Sequence, residues 1–204
     1  MSFSTKYPSL PSRILVILLF ACRLSAAQAP GPIRTWTSPS EALKAEAIAT
    51  SPEAPRVIFL FAPSKPELRQ QLCTFSRDAS LVFSPDEKWI ALNDHYGSDR
   101  ARIRLFKRVA VLTFAELRMD PANAAWALLR RGHGVPYPKA LDHYYAHVSE
   151  WSADSSAMLV SLSGHTDADR AVDGWLCVFD LKTRRASLDL GRMNRGSVVF
   201  RSGH

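Results

Sequence analysis

The chain has 204 residues, of which 47% are hydrophobic and 22% are charged, and its formal net charge is +7. This apolar fraction excludes a mostly disordered chain, and the length suits one domain. Three basic residues, Lys6, Arg13 and Arg23, precede residue 28 without any acidic residue, so the rest is only moderately basic, with scattered arginines that argue against a nucleic-acid partner.

The first 27 residues predict a secretory signal peptide. Basic residues precede an apolar run over 14–22, and small residues including Ser25 and Ala27 follow it. The run is about half as long as a membrane-spanning helix requires. We therefore expect a mature protein that begins at Gln28 and is secreted or periplasmic.

The same segment leaves a second interpretation open. Leu19-Phe20-Ala21-Cys22 resembles the lipobox of bacterial lipoproteins, in which the cysteine is acylated. In that case the protein would be anchored to a membrane through Cys22, and we expect membrane contact only then.

Residues 28–56 are rich in Pro, Ala and Ser and predict one short helix. Ser38 is suited to the N-cap, Pro39 to the first helical position, and Glu41 follows three residues after the cap. The helix is expected to end near Ala49. Residues 57–204 are expected to form a single β-rich domain that starts with a buried strand at 57–61.

Short strands with turn residues between them follow from residue 81. A helix interrupts them, with Asp120 at its N-cap, Pro121 at its first position and Gly132 just past its end. Its apolar stripe is expected to pack on a sheet. The predicted strands are 81–83, 89–93, 102–107, 144–148, 158–162, 175–179 and 198–200.

An internal repeat is the most informative pattern. Phe83-Ser84-Pro85-Asp86 and Trp151-Ser152-Ala153-Asp154 each lie before an apolar strand. Such residues make tight turns between strands, and the chain has no Gly-x-Ser-x-Gly segment that would expose a serine nucleophile. We therefore interpret Ser84 and Ser152 as turn residues.

These motifs look like the blade signature of TolB-like and WD-repeat β-propellers. The resemblance covers two blade-like repeats, 81–108 and 147–182, whereas a closed propeller needs at least about four blades. It implies a mainly β fold of antiparallel, propeller-blade-like sheets that do not close into a ring. We expect two such sheets packed on each other, with one or two short helices.

Two loops that follow the repeated strands are candidate partner-binding sites. Each combines imidazole, carboxylate and guanidinium groups. The first contains His95, Asp99 and Arg100, and the second contains His165, Asp169 and Arg170.

Two further pairs of residues allow alternatives. His143 and His147 share one face of a strand or helix and could bind a metal with a third ligand from His95 or His165. Cys73 and Cys177 could form a disulfide in an oxidising compartment or remain buried thiols.

The function expected from these patterns is that of an exported, non-catalytic protein-binding domain without a cofactor. Propeller-type units generally serve as recognition surfaces, and this is what the resemblance implies. The alternatives are a metal-dependent or hydrolytic enzyme that uses the histidines, and a structural lipoprotein. Convergence of the histidines would favour the enzyme, and their dispersal would favour the binding domain.

Overall fold

The computed structural model describes residues 32–49, 51, 54–133, 142–165 and 171–194. The proposed signal peptide, Cys22 and the strand predicted at 198–200 lie outside these ranges. Within the described ranges, no helix has both the length and the apolar character needed to cross a membrane.

The described residues form three four-stranded antiparallel sheets, each built from strands that are consecutive in sequence. Sheet 1 contains β1 (Arg34–Thr37), β2 (Lys44–Ile48), β3 (Arg56–Ala62) and β4 (Lys65–Phe75). Sheet 2 contains β5 (Asp78–Phe83), β6 (Trp89–His95), β7 (Arg102–Arg108) and β8 (Phe114–Leu117). Sheet 3 contains β9 (His143–Trp151), β10 (Ala157–His165), β11 (Ala171–Asp180) and β12 (Arg185–Ser187).

One α-helix, α1 (Pro121–His133), and a 3₁₀ helix, Leu190–Asn194, complete the described elements. The described sheets do not close into a ring. The prediction of a mainly β fold built from antiparallel, blade-like sheets is thus confirmed, although the number of sheets is three and not two.

The helix predicted over 38–49 is wrong. Ser38 does satisfy a backbone donor, but the donor is the N–H of Leu43, in a tight turn that leads into β2. In β2, buried Ala45 and Ala47 alternate with more exposed residues, which is the period of a strand and not of a helix. Since β2 pairs with β3, the β-rich unit includes residues before 57.

Three turns share one geometry, and each begins with a buried serine. The serine N–H donates to the carbonyl five residues later, whose own N–H donates back to the serine Oγ. The residue three positions after the serine has a positive φ, a conformation that side chains rarely adopt. The serines and their positive-φ residues are Ser38 with Glu41 (60°), Ser84 with Glu87 (55°) and Ser152 with Ser155 (60°).

These turns lie together at one end of the molecule. The carboxylate of Glu87 accepts the N–H of Ser40 at 2.8 Å, which joins the first turn to the second. The N–H of Asp86 donates to Ser155 Oγ at 3.0 Å, which joins the second turn to the third. The repeat found in sheets 2 and 3 therefore has a divergent third copy in sheet 1.

Sheet 2 is buried on both faces because it lies between two cores. The sheet 1–2 core consists of Leu43, Ala45, Ala47, Ile58, Leu60, Cys73, Phe75, Ala79, Leu81, Phe83, Ile90, Leu92, Phe106 and Phe114. The sheet 2–3 core consists of Ala91, Ile103, Leu105, Ala122, Ala125, Trp126, Leu129, Ala146, Val148, Trp151, Met158, Val160, Leu162, Cys177 and Phe179. The apolar stripe of α1 belongs to the second core, so the helix packs on the sheets as expected.

The two cysteines of the β-rich unit are free and buried. Cys73 belongs to the sheet 1–2 core and Cys177 to the sheet 2–3 core. The disulfide that the sequence allowed is therefore not formed, because sheet 2 lies between the two thiols.

We expect neither Cys73 nor Cys177 to react with a water-soluble thiol reagent while the protein is folded. Burial blocks access and raises the pKa of each thiol to about 12, so the reactive thiolate is scarce. Alkylation in native buffer and in urea, followed by peptide mapping, measures this. Rapid modification of either cysteine in native buffer would contradict the burial.

Candidate functional site

The histidines singled out in the sequence lie at the end of the sheets opposite the serine turns. His95 ends β6, His143 begins β9 and His165 ends β10. His147 lies four residues after His143 in β9. The antiparallel order of the strands brings these positions to the same end. His143 is the register partner of His165 in sheet 3.

The alternation of β9 selects which side chains form this surface. Ala146 and Val148 point into the sheet 2–3 core. His143, Tyr145 and His147 therefore lie together on the opposite face, where each is half-buried.

The first imidazole pair joins sheet 2 to sheet 3. The Nε2 atoms of His95 and His147 are 3.0 Å apart, whereas the ring centroids are 4.8 Å apart. Burial lowers the pKa of His147, and the neighbouring His95 lowers it further. His147 is thus held in its neutral form near pH 7.

The second imidazole pair lies within sheet 3. The rings of His143 and His165 stack with their centroids 4.4 Å apart. His165 is exposed, and Nδ1 of His143 is buried without a hydrogen-bond partner among the residues that the structure describes.

Tyr145 lies between the two pairs. Its ring centroid is 6.3 Å from that of His147 and 6.4 Å from that of His143. Its hydroxyl donates to the carbonyl of Ser98 at 2.8 Å. Tyr145 is therefore held by the loop between β6 and β7, although it belongs to sheet 3.

The same loop pairs with the free edge of β9. The N–H of Tyr144 donates to the carbonyl of Asp99 at 2.9 Å, and the N–H of Ala101 donates to the carbonyl of Tyr144 at 3.2 Å. Between them, the Arg100 guanidinium donates to the Asp99 carboxylate and lies 5.7 Å from the centre of the Tyr144 ring. The backbone thus fixes the position of the exposed cation.

Tyr96 extends the aromatic surface on the side of sheet 2. Its hydroxyl is 3.4 Å from that of Tyr144, and the Arg102 guanidinium lies 5.1 Å from its ring centre. Burial, together with the contact to Tyr144, raises the pKa of Tyr96 to about 12, so its hydroxyl stays protonated. Tyr144 lies on the other face of β9, where it packs against the sheet 2–3 core. We call the whole set at this end of sheets 2 and 3 the histidine–tyrosine surface: His95, Tyr96, Arg100, His143, Tyr144, Tyr145, His147 and His165.

The structure brings together most of the residues predicted for binding. His95, Asp99, Arg100 and His165 lie on or beside the histidine–tyrosine surface, whereas Asp169 and Arg170 lie outside the described residues. The three tyrosines were not predicted. The signal that could have found Tyr145 is its position midway between His143 and His147, since alternate residues of a strand share a face.

The sequence suggested that His143 and His147 could bind one metal ion together, and the structure pairs these two histidines differently. His143 and His147 share a face, but each pairs with a histidine of another strand. Over the described ranges, no group of three or more His, Cys, Asp or Glu side chains could hold a metal ion. A three-ligand site is therefore not assembled by these residues.

Comparisons with known proteins give few matches. No family model and no curated protein matches the chain. Among solved structures, the chain is similar to TolB from Acinetobacter baumannii, with 11% sequence identity and a TM-score of 0.42. The match covers 74% of this chain and 30% of the TolB chain. The interpretation of the site therefore depends on its own geometry.

Proposed function

We propose that the chain is an exported, non-catalytic protein-binding module and that the histidine–tyrosine surface contacts its partner. The observation that carries the proposal is the convergence of tyrosine and histidine rings, most of them half-buried, with the exposed Arg100 at one end of sheets 2 and 3. Tyrosine and arginine are enriched at the energetically important centres of protein interfaces.

The surface is also organised before any partner binds. The Tyr145 hydroxyl donates to the carbonyl of Ser98 in the loop between β6 and β7, and Arg100 is flanked by two backbone hydrogen bonds to β9. Side chains that are already ordered lose less conformational entropy on association, which increases the affinity that a given contact area provides.

The convergence of the histidines also favours the second candidate function, a histidine-dependent hydrolase. Activation of a nucleophile requires an imidazole that is hydrogen-bonded to it and, commonly, to an orienting carboxylate. In the described part of the chain, the imidazoles of this surface form no hydrogen bond with a carboxylate or a serine hydroxyl, and Asp99 bonds to Arg100 instead. Ser84 and Ser152 lie in turns at the opposite end. Binding is therefore the better-supported function.

The part of the proposal that concerns export depends on the pattern of residues 1–27. A charged start, an apolar run and small residues favour secretion or the periplasm. Acylation of Cys22 would instead place the same binding surface next to a membrane.

Affinity capture with the tagged protein from the cell-envelope fraction tests the binding function. We expect one near-stoichiometric protein partner, and we expect Tyr145→Ala and Arg100→Ala each to weaken its binding by about tenfold or more, as truncation of an interface hot spot does. Binding constants for the purified partner measure the effect.

Arg69→Ala is the matched control for Arg100→Ala. Arg69 also lies over an aromatic ring, that of Phe61, at 4.7 Å, but it is in sheet 1 and away from the histidine–tyrosine surface. Equal losses for Arg69→Ala and Arg100→Ala would contradict the assignment of the surface. Hydrolysis that depends on His147 would favour the second candidate function.

A further inference from the structure

The His95–His147 pair places two nitrogen atoms from different sheets at a spacing that suits metal coordination. Their Nε2 atoms are 3.0 Å apart. Two imidazole nitrogens bound to one ion at about 2.0–2.1 Å, with roughly 90° between them, lie about 2.9 Å apart. The ring centroids are farther apart, at 4.8 Å. The two rings therefore approach each other through their Nε2 atoms, and a shared ion would bind to these two atoms.

Two hydrogen bonds join the strands that carry the two rings. Asn93, two residues before His95, donates to the carbonyl of Val148 at 3.0 Å and accepts its N–H at 2.7 Å. Val148 directly follows His147 in β9. These two bonds fix the separation of β6 and β9 beside the imidazoles, which is the support that a preorganised site requires.

We propose that His95 and His147 bind one Cu(II) ion, with water at the remaining positions. Cu(II) prefers ligands at roughly right angles in a tetragonal arrangement and binds imidazole more tightly than the other divalent first-row metals. The rings of both pairs stack, but His143 and His165 do not form the nitrogen–nitrogen hydrogen bond that joins His95 to His147. His95 and His147 belong to the histidine–tyrosine surface, but the inference rests on the spacing of their nitrogen atoms and not on the proposed protein-binding function.

The test is titration of the full chain with CuSO4 at pH 7.4, followed by calorimetry and electron paramagnetic resonance. A Cys22→Ser background prevents the thiol of Cys22 from competing. We expect one equivalent of Cu(II) whose spectrum shows coupling to two imidazole nitrogens. His95→Gln and His147→Gln should each weaken binding at least about tenfold, since each removes one of two protein ligands.

His143→Gln and His165→Gln are the matched controls, and we expect them to leave the affinity unchanged within about twofold. Equal weakening by a control variant would overturn the proposal, because it would indicate non-specific binding to surface histidines. A spectrum of the unsubstituted pair without coupling to two imidazole nitrogens would overturn it as well, whether or not the glutamine variants fold. Circular dichroism checks the folding of each variant.

Discussion

Replacing Asn93 by leucine is expected to lower the free energy of unfolding by about 2–5 kcal/mol, because two buried backbone groups would lose their partners. Asn93 is 4% exposed, and its side-chain amide acts toward β9 as a neighbouring peptide group would. It donates to the carbonyl of Val148 and accepts the N–H of the same residue. Leucine can replace neither bond.

Urea unfolding of both proteins measures this effect. Ser80→Ala is the matched control, because the Ser80 hydroxyl accepts the second Nδ2–H of Asn93 and makes no bond to sheet 3 in the described structure. We expect the control to lose only about 0.5–1.5 kcal/mol, the net contribution of one hydrogen bond. Equal losses for the two variants would mean that the bonds to Val148 do not join sheet 2 to sheet 3.

The second large effect is expected in the pH dependence of stability. The folded-state pKa of His147 is lowered by burial and by His95, whereas the unfolded chain titrates near the ordinary value of about 6.5. As the pH falls, the unfolded state binds this proton first. The contribution of His147 is therefore complete above about pH 6.5 and is lost progressively as the pH falls below that value.

His147→Gln removes this titration. We expect the free energy of unfolding of the unsubstituted protein to fall more steeply between pH 7.5 and 5.5 than that of the variant. Carboxylates elsewhere also titrate, but their effect is common to both proteins and cancels in the difference. Urea unfolding at intervals of half a pH unit provides the comparison.

His133→Gln serves as the control, because His133 lies at the end of α1 against Trp175 and not in either imidazole pair. A steeper fall that disappears equally in His133→Gln and His147→Gln would show that the effect is not specific to the imidazole pair. A constant difference between His147→Gln and the unsubstituted protein at every pH would show that the neutral imidazole at position 147 is not linked to folding.

The prediction of a helix at Ser38 shows where local sequence information is ambiguous. Serine followed by proline and, two residues after the proline, glutamate suits a helix N-terminus, but Ser38 begins the same turn as Ser84 and Ser152. A serine oxygen can accept a backbone N–H in either structure. The choice is made by packing, because Ala45 and Ala47 complete the sheet 1–2 core only when β2 is a strand.

The partners of the histidines could not be predicted for a related reason. Strand period places His143, Tyr145 and His147 on one face, and the sequence is sufficient for that step. The contact between His95 and His147 depends on how sheet 2 packs against sheet 3, which involves residues far apart in the chain. The separation of Cys73 from Cys177 likewise follows from the position of sheet 2 between two cores.

The sequence by itself determined the features that depend on neighbouring residues: strands β5 to β7 of sheet 2 and β9 to β11 of sheet 3, the turns at Ser84 and Ser152, and α1 with its apolar stripe. Only the tertiary structure decided the formation of sheet 1, the assembly of the histidine–tyrosine surface and the pairing of its imidazoles. The physical reason is that turn chemistry and strand period act over a few residues. The His95–His147 contact and the bond from Tyr145 to the loop between β6 and β7 are fixed by the packing of sheet 2 against sheet 3, which depends on the burial of the sheet 2–3 core.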